Sequence, residues 1–115
     1  MARAATTSDV FNAIAEPRRR EILVLLRTGE RPVTQLALEL GLPQPGTSKH
    51  LRVLREVGLV RDRKEGKQRL YGLDPRGLRT VHEWTGGFEQ FWNESFGRLD
   101  AYVQELKRAR GVDGS

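Results

Sequence analysis

The stretch Gln44–Val60, QPGTSKHLRVLREVGLV, divides into an apolar side and a polar, basic side. One narrow stripe of a helical wheel takes small and apolar residues at spacings of four, three and four: Thr47, Leu51, Leu54 and Gly58. The opposite side takes polar and charged residues: Ser48, Lys49, Arg52, Arg55 and Glu56. Gln44 stands at the N-terminal tip, Pro45 suits a first helical turn, and Gly58 suits the end. This pattern predicts a helix that packs its apolar side against the rest of the domain and exposes its polar, basic side.

Three helices are predicted before this one, each with an apolar side: residues 8–15, 17–28 and 35–40. Thr6 and Asp9 have the spacing of a capping box for the first helix. Pro17 stands at the first position of the second helix. Thr34 is the predicted cap of the third, which ends in a tight turn at Gly41.

The periodicity changes after the fourth helix. Residues 59–63 and 68–73 have the composition of short strands around a charged turn at Glu65-Gly66, which predicts a β-hairpin. Asp74 is the predicted cap of a fifth helix, which has Pro75 at its first position and reaches about Trp84. A break at Gly86-Gly87 separates it from a long last helix, residues 88–108. The chain is therefore mainly α with a small β-hairpin.

Charge and composition narrow the function. The net charge is +5, and the basic excess is concentrated in residues 43–79, which contain ten Lys and Arg but only four Asp and Glu. Such a concentration favours a surface that meets a polyanion. There is no cysteine, no glycine-rich phosphate loop and no tightly spaced carboxylate pair, so an enzyme is not expected. No apolar run approaches membrane-spanning length, which predicts a cytoplasmic protein with no membrane contact.

The last helix carries a broad aromatic stripe at spacings near 3.5. Its members include Phe88, Phe91, Trp92, Phe96, Leu99 and Val103. Packing within one copy is one interpretation of this stripe. Its width favours a second interpretation, an interface between two copies of the chain, because a large exposed apolar patch is a liability in a monomer.

The predicted order of elements is that of a winged helix-turn-helix. Three helices come first, a short turn then leads to a fourth helix with a polar face, and a basic hairpin follows. An α-helix fits the major groove of B-DNA, where each base pair presents its own donor and acceptor pattern. The hairpin carries five basic residues that suit phosphates: Arg61, Arg63, Lys64, Lys67 and Arg69. The sequence thus predicts a protein that binds double-stranded DNA. The rival interpretation is a winged-helix adaptor or anti-repressor that acts by protein contact. The exposed face of the fourth helix in such a protein would tolerate acidic or apolar residues, whereas here it carries Lys49, Arg52 and Arg55.

The joint pattern of AIAEPRRREIL, LALELGL, QPGTSKHLRVLREVGLV and GKQRLYGL resembles the ArsR-type winged helix-turn-helix repressors. The resemblance implies a homodimeric bacterial regulator, paired through its first and last helices, that binds an imperfect inverted repeat and commonly represses its own operon. It assigns base reading to residues of the fourth helix: Gln44, Ser48, Lys49, His50 and Arg52. It assigns wing contacts to Arg63, Lys64, Lys67 and Arg69, and it adds Phe11 of the first helix to the dimer interface.

Many such regulators sense metals, but this chain resembles the metal-independent branch. The third helix has no cysteine pair, and the last helix has no histidine. His82 beside Glu83 is a poor set for a transition metal. We expect no metal and no cofactor. A small organic effector between the aromatic last helices is left open by the sequence. The predicted organisation is a single domain, residues 1–115, with a DNA-binding core at about 8–74 and dimerisation helices at about 75–108.

Overall fold

The computed structural model describes residues 9–110. Within them the chain forms six helices and three strands, in this order: α1 (Val10–Ile14), α2 (Pro17–Leu25), β1 (Arg31–Pro32), α3 (Val33–Leu40), α4 (Gln44–Glu56), β2 (Val60–Glu65), β3 (Gln68–Leu73), α5 (Pro75–Gly86) and α6 (Glu89–Ala109). A 3-10 turn, Leu26–Thr28, extends α2. The prediction of a mainly helical fold with a small sheet is confirmed. The chain divides after Val81 into two compact units.

The core of the first unit is a cluster of nine buried apolar residues from α1–α4, the 3-10 turn, and the connection between α4 and β2 together with the first residue of β2: Ala13, Ile22, Leu23, Leu26, Leu36, Leu51, Leu54, Leu59 and Val60. Burial of each large aliphatic side chain contributes roughly 1.5–3 kcal/mol. Leu51 and Leu54 come from the stripe of α4, so the core holds that helix by its apolar side.

Two predicted helix caps are wrong. Helix α1 begins at Val10, and Asp9 itself is the cap, with its carboxylate accepting a hydrogen bond from the Asn12 N–H at 2.6 Å. Asp9 therefore cannot be the interior member of a capping box; Thr6, its predicted partner, lies outside the described residues. Helix α3 begins at Val33, one residue before the predicted cap Thr34.

The sheet explains the early start of α3. Strand β1 pairs with β3, which holds Pro32 in an extended conformation directly before the helix. The three strands are antiparallel in the order β1-β3-β2. Strand β1 was not predicted, because two residues are too short to show an alternation of polar and apolar positions. The hairpin is confirmed, although its turn lies at Gly66-Lys67, one residue later than predicted.

Helix α5 begins against the end of α4. The Asp74 carboxylate caps it as predicted, accepting a hydrogen bond from the Arg76 N–H at 3.0 Å. The Gly77 N–H donates to the carbonyl oxygen of Gly58 at 2.9 Å. A Cβ on Gly77 would lie 2.7 Å from that oxygen, so only glycine permits this approach.

The second unit holds the end of α5 and all of α6. Its rings of Trp84 and Phe88 pack edge to face, with centroids 5.2 Å apart. Among the described residues, no helix has both the length and the apolar character needed to cross a membrane.

Candidate nucleic-acid interface

Helix α4 has one buried and one exposed side, as its sequence predicts. Thr47, Leu51 and Leu54 are at most 1% exposed. Three predicted reading residues on the opposite side are exposed, Ser48, Lys49 and Arg52, and Gln44 is exposed at the N-terminal tip of the helix. His50 is half-buried on the flank of the helix. Polar and long basic side chains are thereby exposed together along about two and a half turns of helix.

Glycines in the left-handed conformation end α3, just before α4, and follow the end of α4. Gly41 has φ 68° and allows the Leu42 N–H to donate to Ala37 O at 3.0 Å, which joins α3 to α4 through a tight turn. Gly58 has φ 80° at the other end, where the Leu59 N–H donates to Leu54 O at 2.9 Å. Thr47 fastens the first turn from within, since its hydroxyl donates to Pro43 O at 3.1 Å.

The register of the hairpin places the predicted wing residues on two different faces. Lys64 pairs with Arg69 and Arg63 with Leu70, and residues paired across strands lie on the same face. Because neighbouring residues of a strand alternate between faces, Lys64 and Arg69 share one face while Arg63 lies on the other. Lys67 lies in the turn. The sequence had grouped these four residues as one set.

Arg63 is held by carboxylates. It lies 2.9 Å from Glu30, which precedes β1, and it also pairs with Glu65. The hydrogen bond from Arg63 is the main cause that lowers the pKa of Glu30. The Glu30 partner was missed by sequence reasoning, because 33 positions separate the two residues and no local pattern links them.

A second cluster joins α4 to the wing. One carboxylate oxygen of Asp62 accepts from Arg55 of α4 at 3.1 Å and from Arg69 of β3 at 2.9 Å. The Asp62 side chain is 12% exposed, whereas both arginine side chains are about half exposed. The cluster keeps one net positive charge and holds two arginines at the edge of the exposed α4 surface. Neither Arg55 nor Asp62 was among the predicted site residues.

Four other basic residues are not paired with carboxylates. Lys49, Arg52, Lys64 and Lys67 form no ion pair with any residue in 9–110. All four are exposed on α4 or the hairpin. They are available to an external polyanion without first losing an internal partner.

Comparison with known proteins agrees with this geometry. Residues 16–62 match the family model of the bacterial regulatory proteins of the arsR family. The HTH-type transcriptional regulator Rv2034 of Mycobacterium tuberculosis is 36% identical over 94 residues, which cover 82% of each chain. The chain belongs to the ArsR family. The arsenical resistance operon repressor of Escherichia coli is 35% identical over 102 residues, covering 87% of this chain and 84% of the repressor.

Solved structures of ArsR-type regulators have the same fold. A possible transcriptional regulator for arsenical resistance superposes with a TM-score of 0.65 and 42% identity, covering 81% of this chain and 94% of that one. The homodimeric winged helix-turn-helix DNA-binding domain of Mb0332 from Mycobacterium bovis gives a TM-score of 0.55 and 32% identity, covering 86% and 75%. The predicted winged helix-turn-helix is confirmed. This ArsR-family chain is a DNA-binding transcriptional regulator and not an enzyme.

The last helix of this ArsR-family regulator exposes its aromatic stripe. All the predicted interface residues of the second unit are at least 36% exposed: Phe88, Phe91, Trp92, Phe96, Leu99 and Val103. No residue of α6 is buried. Phe11, in the first unit, is also exposed. The interface itself stays a prediction, and the exposure of α6 leaves its stripe available to another surface.

No metal centre forms among residues 9–110, where no group of three or more His, Asp or Glu residues is placed to hold an ion. His82, the histidine nearest the last helix, is exposed. Membership of the metal-independent branch stays a prediction for this ArsR-family chain.

Proposed function

We propose that this ArsR-family regulator is a homodimeric repressor that binds an imperfect inverted repeat in double-stranded DNA through α4 and the basic wing. The observation that carries the proposal is the two-sided burial of α4. Leu51 and Leu54 lie in the core, while Ser48, Lys49 and Arg52 lie exposed on the other side. A helix held in this way can enter a major groove without disturbing the core.

Base reading falls to Gln44, Ser48, Lys49, His50 and Arg52 in this proposal. Gln suits adenine, and Arg or Lys suits guanine, because each matches the donor and acceptor pattern in the major groove. The wing supplies phosphate contacts that position the protein without reading sequence. Lys64 and Lys67 are unpaired and suited to this role, whereas Arg63 and Arg69 would have to divide their hydrogen-bond donors between their carboxylate partners and a phosphate.

The dimer is proposed to form through α6, with Phe11 of α1 contributing. Support comes from the exposed stripe of α6 and from the homodimeric Mb0332 domain. Two copies of α4 would then enter successive major grooves about 34–36 Å apart. Binding over a promoter would block polymerase, and the regulator's own operon is the expected target. We place the protein in the cytoplasm.

The effector, if the regulator has one, is proposed not to be a metal. Adding zinc to the purified dimer should leave operator affinity unchanged, which titration with labelled operator in zinc-free and zinc-containing buffer can measure. A tenfold shift in affinity would contradict metal independence. A small organic molecule bound between the two α6 helices is the alternative inducer.

The rival function, an adaptor that acts only by protein contact, fits the exposed α4 surface less well. That surface includes Lys49 and Arg52, neither of which has an ion-pair partner among the described residues. A surface built for protein contact alone has no need to keep unpaired cations along a helix that fits the major groove.

Fluorescence anisotropy with DNA from the regulator's own promoter region tests the proposed function. Arg52→Glu should abolish binding, because it places a carboxylate on the reading face. Arg108→Glu on α6 is the matched control, since it makes the same change of charge at an exposed helical arginine on the side of α6 away from the aromatic stripe. Equal losses in the two variants would show that net charge alone governs binding. No binding by the wild-type protein would favour the adaptor.

A further inference from the structure

A cleft of about 260 Å³ lies where the wing meets the first turns of α3 and α4. Its lining includes Thr34 of α3, Gln44 of α4, and Lys67, Arg69 and Tyr71 from the turn and β3. The cleft thus brings the reading end of α4 together with the basic end of the hairpin.

The cleft is rich in hydrogen-bond donors and has no carboxylate among its lining residues. Lys67 and Arg69 bring positive charge to it, and the Asp62 carboxylate that pairs with Arg69 offsets part of that charge. The side chains of Thr34, Gln44, Lys67 and Tyr71 make no hydrogen bond or ion pair with any other residue in the described range. Arg69 is anchored to Asp62 at 2.9 Å, which fixes one of its nitrogens and leaves its other donors.

Unpaired hydroxyl, amide and ammonium donors around one concave site match a compact oxyanion. Charge-assisted hydrogen bonds of this kind are the strong ones, and a phosphate group accepts several at once. We propose that this wing cleft binds a single phosphate group of the DNA backbone. The inference rests on the proposed DNA-binding function and assigns a role to Tyr71 and Thr34, which that function did not use.

A phosphate in the wing cleft would connect two parts of the interface. Gln44 begins the reading helix and Lys67 lies in the turn of the wing, so one bound phosphate would contact both. Such a contact fixes the register of α4 on the duplex, as backbone contacts do in general. The wing cleft would then set which base pairs α4 reads.

Neutralising single phosphates in the operator tests this inference. Methylphosphonate is placed at each backbone position of a half-site in turn, and affinity is measured for the wild-type protein, Tyr71→Phe and Lys67→Gln. We expect the wild type to lose about tenfold at one position. Both variants should bind unmodified DNA about tenfold more weakly than the wild type. Methylphosphonate at the sensitive position should then reduce their affinity little further.

Lys64→Gln is the matched control, because it removes the same charge from the same hairpin but does not line the cleft. Lys64→Gln should still lose about tenfold in affinity, as the wild type does, when methylphosphonate replaces the phosphate that the cleft binds. Thermal melting of each variant confirms the fold. If Tyr71→Phe and Lys67→Gln lose as much as the wild type at every backbone position, the wing cleft holds no DNA phosphate.

Inorganic phosphate supplies the second arm of the test. Amide NMR shifts are followed with phosphate against chloride at equal ionic strength. Saturable shifts in the cleft that vanish in Tyr71→Phe, without a DNA position effect, would identify a free phosphate as the ligand. Absence of both effects overturns the inference. Failure of the wild-type protein to bind any unmodified duplex would instead overturn the proposed function.

Discussion

Gln44 and Ser48 are the two uncharged, exposed polar residues among the proposed base-reading residues of α4. Replacing either by Ala should relax the preference for particular bases, with a loss of roughly 1–3 kcal/mol on the best operator for each lost base contact. Affinities for a panel of operator variants measure the effect. The loss should shrink on operators that already carry a mismatch at the contacted base pair.

Lys64→Ala is the comparison for base reading. A lost phosphate contact should weaken binding to all sequences alike and reduce the slope of log affinity against log salt by about 1. If the Gln44 and Lys64 variants give the same profile across the panel, the division between base reading and phosphate contact is wrong.

Asp74 should make folding stability depend on pH. The side-chain hydrogen bond from Arg76 is the main cause that lowers the pKa of Asp74 below its ordinary 3.8. A lowered pKa in the folded state means that the stabilisation is present above pH 3.8 and is lost as the pH falls through the folded pKa.

Urea unfolding between pH 2 and pH 6 measures this dependence. Asp74→Asn should flatten the fall in stability on the acid side, because the amide keeps an acceptor for the cap but does not titrate. An acid limb identical to that of the wild-type protein would show that other carboxylates cause the fall.

At the scale of single residues, the sequence predicted the exposure of the reading positions but not their electrostatic partners. The apolar stripe of α4 fixes which side of the helix faces outward, so Ser48 and Arg52 follow from spacing alone. The pair Arg55–Asp62 depends on how the hairpin packs beside α4, and the pair Arg63–Glu30 depends on how β1 joins the sheet. No local pattern encodes that packing.

Among the elements, α5 depends on a glycine that no sequence argument singled out. Gly77→Ala should destabilise the protein by roughly 1–3 kcal/mol, because its Cβ would lie 2.7 Å from Gly58 O and the backbone there cannot move freely. Chemical denaturation measures the change in the free energy of unfolding.

Gly86→Ala is the matched control in the same helix. A Cβ at Gly86 meets nothing within 4 Å, so Ala should be neutral or stabilise the helix by up to about 1 kcal/mol. Equal effects at Gly77 and Gly86 would mean that helix propensity, and not contact with Gly58, decides the outcome.

Long periodic elements were predicted more reliably than short ones. Helices α4 and α6 repeat their apolar spacing over several turns, and their predicted bounds lie within about one residue of those observed. Strand β1 has two residues and depends on pairing with β3, which lies far along the chain. The start of α3 was misplaced because that pairing, and not the capping preference of Thr34, determines it.

At the scale of the whole molecule, the exposed face of α6 should decide the oligomeric state. Leu99→Glu should convert the proposed dimer to a monomer and weaken operator binding, because it places a charge in the apolar stripe. Sedimentation equilibrium measures the mass. Asn93→Glu adds the same charge to an exposed position outside the stripe and should leave the dimer intact.

A Leu99→Glu protein that remains a dimer would contradict the assignment of the interface to α6. The width of the aromatic stripe predicted this interface from sequence. The mutual placement of two copies does not follow from it, because an apolar stripe defines which side is covered but not the angle or direction of its partner.

Selection of bound duplexes from a random-sequence DNA pool, followed by sequencing, tests the central claim most directly. The account predicts enrichment of an imperfect inverted repeat whose half-sites have centres about 10 base pairs apart, one for each copy of α4. Enrichment of a single asymmetric site, or of no sequence at all, would contradict it.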